Sequence, residues 1–286
     1  MNTTTKLAII QMSMSEKQDE NIKKAVNFIH EAAGQSANII LLPELFENLY
    51  FCQEQSDDLF SLAHSIENHP FISQFQTIAK KLNVILPISF FEKSGQAYFN
   101  SLAMIDSSGD LLGIYRKTHI PDGPCYQEKY YFNPGNTGFK IWQTKYGNIG
   151  VGICWDQWIP ESARAMALQG ADLLLYPTAI GSEPPQAHSL ETKNMWQRAM
   201  IGHAVCNSVY LAAPNRVGVE KNMSFYGSSF ICDYMGEKLV EADKETECVL
   251  YANLNFAHAQ SFRAGMGFFR DRRPEHYKNI LSLDGK

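Results

Sequence analysis

The chain has 286 residues, with 25 Lys and Arg against 30 Asp and Glu, a formal net charge of −5, 45% hydrophobic and 19% charged residues. These are globular values that exclude general disorder. No apolar run approaches the ~20 residues of a spanning helix, and the first residues lack the basic and apolar regions of a signal peptide. A mildly acidic balance disfavours nucleic acid or an anionic membrane as the main partner, so a cytoplasmic protein that binds neither is expected.

In chain order, Lys6–Met12 reads as a strand and Asn21–Ala33 as a helix with Ile22, Ala25, Val26, Ile29 and Ala33 on one face. Gly34 is placed to stop that helix. Asn38–Leu42 is a short buried strand, Phe71–Leu82 a helix and Val84–Ser89 a strand. Tyr98–Ile105 and Leu111–Arg116 flank a turn-rich DSSGD link and predict a hairpin. Asn148–Ile153 is a strand ending at Cys154, Ile159–Gln169 a helix, Asp172–Tyr176 a strand, and Leu190–Cys206 a helix. Val209–Ala213, Ser228–Cys232 and Cys248–Asn253 are further strands. Alternating helices and strands followed by hairpins predict a layered α/β domain, with either a mixed sheet or two packed sheets. No repeat or linker divides the chain, so residues 1–286 are expected to form one domain. The irregular stretch Thr118–Lys140 is long for a connection and carries five aromatics, which favours a functional loop.

The six cysteines form no C-x-x-C pair and the eight histidines no H-E-x-x-H, so neither a zinc site nor a disulfide scaffold is expected. Three apolar segments instead stop abruptly at a reactive side chain: NIILLPELFE at Glu44, LLGIYRKTHIP at Lys117 and NIGVGICWDQW at Cys154. Ligands of open α/β sheets sit outside the carboxyl ends of strands, and a base, an ammonium and a thiol meeting there would suit amide cleavage through a thioester. Cys154 lies between a strand end and a helix start, where a helix dipole would lower its thiol pKa from ~8.5 toward neutrality. Partial desolvation would raise the pKa of Glu44 into the range of a general base. Lys117 and the backbone N–H of Trp155 would hold an oxyanion. Taken singly, each residue also fits a plain role, as an inert core thiol, a loop-capping carboxylate or a solvated amine.

The conjunction resembles the nitrilase superfamily of carbon–nitrogen hydrolases from Lys6 to about Tyr277, with the family's Glu–Lys–Cys set matching Glu44, Lys117 and Cys154. The resemblance adds Glu128, in YQEKYYF, as a second glutamate that orients Lys117 and the substrate. It implies a four-layer α-β-β-α sandwich, homo-oligomers built from dimers, and no metal or organic cofactor. It departs from the pattern at Cys125, where a small residue such as glycine is expected.

No arginine follows Cys154 before Arg164, which disfavours a substrate carboxylate. The wording RKTHIPDGPCYQEKYYFNPGNTGFKIW and PTAIGSEPP looks like the branch that hydrolyses N-carbamoylputrescine, a small cationic ureido amine, to putrescine, carbon dioxide and ammonia. The alternatives are the same chemistry on another small amide, or a catalytically silent binding relative. Glu183 is the expected counter-charge for the distal ammonium; Tyr50, Trp155 and Ala179 are expected to line the channel, with Asp122 and His188 as further polar candidates. The C-terminal segment from about residue 256, rich in Arg with Asp271 and Glu275 interleaved, is expected to serve subunit contacts.

Overall fold

The computed structural model describes residues 4–182 and 192–286. In chain order the first elements are β1 (Thr5–Gln11), α1 (Gln18–Gly34), β2 (Ile39–Leu41), α2 (Ile72–Leu82), β3 (Leu86–Ser94), β4 (Ala97–Ile105) and β5 (Leu111–Arg116). After a single helical turn α3 (Glu128–Tyr131) come β6 (Ile141–Thr144), β7 (Gly147–Val151), α4 (Pro160–Leu168), β8 (Leu173–Leu175) and β9 (Gly181–Ser182). The chain ends with α5 (Lys193–Asn207), β10 (Tyr210–Ala213), β11 (Val217–Glu220), β12 (Met223–Tyr226), β13 (Phe230–Cys232), β14 (Lys238–Glu241), β15 (Cys248–Leu254) and α6 (Phe256–Met266).

Two sheets organise these strands. One runs β15-β1-β2 and continues through the Ile39–Ile85 bridge into β3-β4-β5; the other runs β14-β13-β10-β8-β7-β6. Parallel pairs at β1·β2, β7·β8 and β8·β10 lie in the middle, and antiparallel hairpins extend both sheets outward. Strands buried on both faces read as continuous apolar runs, as IIL and LLL do in β2 and β8. Side chains alternate across each strand. Leu7 and Ile9 of β1 therefore meet Ile149, Val151, Leu173 and Leu175 of the other sheet in one inner core, while Ala8 and Ile10 face α1 and α2. On the opposite side Leu174 and Leu211 pack against α4 and α5 through Met166, Trp196 and Met200. Helices outside, two sheets inside: the architecture is the α-β-β-α sandwich.

Several details differ from the sequence reading. Helix α1 runs through Gly34, and the left-handed residue that turns the chain is Ser36 (φ +64°). Strand β3 extends to Ser94 and pairs with β4 along its whole length; Glu92 stays buried within it because the Arg116 guanidinium and the Ser101 hydroxyl bind its carboxylate. A small sheet β11-β12-β9 and the helix α6 were not anticipated. Both are short or weakly amphipathic, so periodicity marks them poorly. No helix among the described residues is long and apolar enough to cross a membrane.

Candidate active site

Glu44, Lys117 and Cys154 each follow a strand of a different hairpin or crossover: β2, β5 and β7. Strand pairing brings these ends to one edge of the sandwich. Asn100, inside β4, joins two of them: its carbonyl accepts the Lys117 N–H at 2.8 Å and its Nδ2 donates to Glu44 Oε1 at 2.7 Å. Lys117 Nζ donates to Glu44 Oε1 at 2.8 Å and to Glu128 Oε2 at 2.6 Å, and all three side chains are fully buried. The remaining Glu44 oxygen, Oε2, is buried without a hydrogen-bond partner among the described residues, so it can accept a proton from outside the trio.

Two carboxyl groups share one ammonium here. Burial raises the Glu128 carboxyl to about 7, against the opposing pull of Lys117. Burial would deprotonate Lys117, but Glu128 and Glu44 outweigh it and hold the amine well above its ordinary range. The ammonium therefore stays charged at any working pH.

Cys154 sits at a strained corner. After β7 the chain passes Gly152 and turns at Cys154 with φ +41°, a left-handed conformation rarely held by residues with a side chain. Its N–H donates to the Pro177 carbonyl at 3.0 Å, and Asp156 fixes the turn by accepting the Ile153 N–H at 3.0 Å. Asp156 also accepts Tyr115 Oη at 2.7 Å and the His119 N–H at 2.9 Å, which ties the nucleophile corner to the loop that begins at Lys117. The expected helix dipole is not what sets the thiol. Cys154 opens a short 3₁₀ turn, Cys154–Trp158, and α4 starts only at Pro160. Burial, reinforced by the Glu44 charge, pushes the thiol well above its ordinary value although Lys117 pulls it down. At rest Cys154 is a thiol, which must lose its proton to a base within the site. The Trp155 N–H lies in the first turn of this 3₁₀ segment, where amides lack intrahelical acceptors.

Cys154 forms the floor of a cavity of about 270 Å³ walled by Pro121, Tyr126, Trp155, Trp158, Ile180 and Met195. Its one charged wall residue among those described is Asp122. Ala179 adjoins the nucleophile, its carbonyl 3.9 Å from Cys154 Sγ, and Trp155 stands half-exposed at the mouth. Tyr50 does not line the cavity: it is fully buried behind Glu128, to which its hydroxyl donates at 2.7 Å. Its aromatic character reads as channel lining in sequence; its function in the fold is to hold a carboxylate. Glu183 and His188 lie outside the described residues. Cys125 takes φ +62°, which explains why glycine suits that position. Sequence reasoning missed Asn100 and Asp156. The signal for Asn100 was a polar residue inside an apolar strand, which must find a partner when buried. Among the described residues no group of three His, Cys, Asp or Glu side chains could hold a metal ion.

Residues 6–264 match the carbon–nitrogen hydrolase family, and the chain belongs to it. It is 51% identical over 280 residues to a citrullinase of Francisella tularensis, covering 96% of this chain and 98% of that one. It is 51% identical over 284 residues to an N-carbamoylputrescine amidase of Arabidopsis thaliana, covering 96% and 95%. A crystal structure of a carbon–nitrogen hydrolase from Helicobacter pylori superposes with a TM-score of 0.93 at 35% identity, covering 98% and 99% of the two chains.

Proposed function

We propose that this carbon–nitrogen hydrolase cleaves N-carbamoylputrescine to putrescine, carbon dioxide and ammonia, with Cys154 as nucleophile. The observation that carries the substrate reading is the cavity over Cys154, apolar along its walls, with Asp122 and no described cationic residue lining it. Such a cleft suits a four-carbon chain ending in an ammonium. Citrulline is the same ureido amine with a carboxylate on the terminal carbon, and that carboxylate would meet Asp122 with no described arginine or lysine in the lining to receive it. Glu183 remains a candidate second counter-charge.

In the mechanism Glu44 takes the Cys154 proton as the thiolate attacks the ureido carbon, forming the C–S bond and placing negative charge on the carbonyl oxygen. The Lys117 ammonium and the Trp155 N–H stabilise that oxyanion. Collapse breaks the C–N bond; Glu44 returns the proton to the departing amine, leaving a carbamoyl thioester. Glu44 then deprotonates water, whose attack releases carbamic acid and restores the thiol with the same proton. Carbamic acid decays to carbon dioxide and ammonia, so one water is consumed per turnover. Glu128 keeps Lys117 oriented throughout.

The rest of the reading follows the same lines. The chain acts as one catalytic domain in a homo-oligomer built from dimers, with the segment after about residue 256 in subunit contacts; exposed Leu168, Ile280 and Leu281 around one groove support this. Six free thiols suit a cytoplasmic, reducing setting. The test is product analysis with N-carbamoylputrescine: putrescine and ammonia are expected in equal amounts, and rapid quenching should leave a carbamoyl group on the Cys154 peptide. Turnover without putrescine, or an adduct on another cysteine, would sink the assignment.

A further inference from the structure

Arg216 is fully buried, 172 residues away in sequence from the carbonyl its guanidinium grips. Its Nη2 donates to the Glu44 carbonyl at 3.0 Å and to the Leu45 carbonyl at 2.6 Å, and its Nη1 donates to the Asn48 carbonyl at 3.0 Å. Leu45 needs such a grip, because it holds φ +48°, a left-handed backbone strained for a bulky residue. The Leu45 N–H is pinned from the other side by Ser89 Oγ at 3.0 Å.

The same guanidinium reaches the second carboxylate by another route. Arg216 Nη1 donates to Glu220 Oε1 at 3.0 Å; Glu220 Oε2 accepts the Tyr50 N–H at 2.6 Å; Tyr50 Oη donates to Glu128 Oε1 at 2.7 Å. Glu128 Oε2 and Glu44 Oε1 both bind Lys117 Nζ. The path closes on itself: Arg216, Glu220, Tyr50, Glu128, Lys117, Glu44 and back to Arg216. The Tyr50 and Phe225 rings flank the guanidinium, each centroid 5.7 Å from Cζ. A planar fork with five donors can serve three carbonyls and a carboxylate at once; an ammonium cannot.

We propose that Arg216 is a positioning residue for the reaction, setting the main chain that carries Glu44 and, through Glu220 and Tyr50, the carboxylate of Glu128 that faces Lys117. The inference rests on Glu44 acting as the base, and not on which amide is the substrate. A loosened ring would move the base relative to the thiol, and misplacement by about 1 Å is enough to lower turnover about 100-fold.

The experiment uses the full-length Arg216→Lys, Glu220→Gln and Tyr50→Phe proteins and whichever of N-carbamoylputrescine, citrulline and propionamide the unmodified protein turns over. Failure on the first compound alone would count against the substrate reading and leave this test in place. For Arg216→Lys we expect kcat to fall about 100-fold with KM unchanged, a displaced acid limb of the pH profile, and one reactive Cys154 per chain still titrated by an alkylating amide. Tyr50→Phe should also lower kcat and move the acid limb. The double variant should be no worse than Arg216→Lys alone, since the two residues act through one ring. Unchanged kcat and pH profile in the folded variants would overturn the proposal. So would an Arg216→Lys protein that fails to fold while Glu220→Gln and Tyr50→Phe retain full kcat, for then the arginine serves stability alone.

Discussion

The two halves of the site are built from different material. The inner half, Glu44, Lys117, Glu128 and the Cys154 corner, is buried and held by hydrogen bonds from strands, strand ends and the single turn α3. The outer half, from Pro121 to Tyr126 with Trp155, Trp158, Thr192 and Met195, is loop and helix-end surface around a cavity with a single described acid. Strand ends fix geometry to within the tolerance that bond-making requires, whereas loops can change shape without disturbing the core. One scaffold can therefore keep its C–N bond chemistry and alter what it accepts, which fits 51% identity to both a citrullinase and an N-carbamoylputrescine amidase.

That division predicts inner substitutions that act on kcat and outer ones that act on KM. The largest effect is expected for Cys154→Ser, which should fold normally and lose at least ~1000-fold in turnover; substantial residual activity in a protein free of parent enzyme would remove Cys154 as nucleophile. Lys117→Met comes next. It strands two buried carboxylates, so a loss of about 3–5 kcal/mol in stability is expected by denaturant unfolding, with turnover abolished; a variant as stable as the parent would mean that the trio is not an ion cluster. Glu128→Gln should retain the fold, lower kcat and shift the acid limb. With Glu128 raised to about 7 by burial, activity rises as pH climbs through that region, and removing this carboxyl takes its share out of the acid limb, which moves to lower pH. A limb that stays in place would separate Glu128 from the titration.

Outer substitutions are smaller. Asp122→Asn should raise KM for N-carbamoylputrescine about tenfold, the equivalent of ~1.4 kcal/mol, and leave propionamide unaffected. Equal effects on both compounds would make Asp122 part of the chemistry. The smallest effect is expected for Cys125→Gly, where relief of a left-handed φ is set against lost packing; stability should change by less than about 1 kcal/mol.

Three inner side chains, Glu44, Lys117 and Cys154, stand out in sequence because each ends an apolar run, whereas Glu128 in YQEKYYF came only from the family resemblance. What stayed hidden depends on contacts made over long distances. Tyr50 looked like lining because its partner Glu128 lies 78 residues on, and no local pattern marks Arg216, whose partner Glu44 lies 172 residues back. The helix dipole at Cys154 failed for a different reason: a 3₁₀ turn separates it from α4, and burial dominates the thiol. The strand runs left a mixed sheet or two packed sheets, and the sandwich came from the family resemblance, while the pairing of β3 beyond Ser89 and the helix α6 needed tertiary packing to appear.

The central claim is that a loop cavity selective for a bare ammonium sits above a buried thioester-forming site. It is tested most directly by kcat/KM for N-carbamoylputrescine and citrulline, two substrates that differ by one carboxylate, measured as ammonia release with Cys154→Ser as the blank. The account predicts that N-carbamoylputrescine is strongly preferred and that Asp122→Asn narrows the gap. Preference for citrulline, with Cys154 still essential, would keep the inner half and contradict the reading of the outer one.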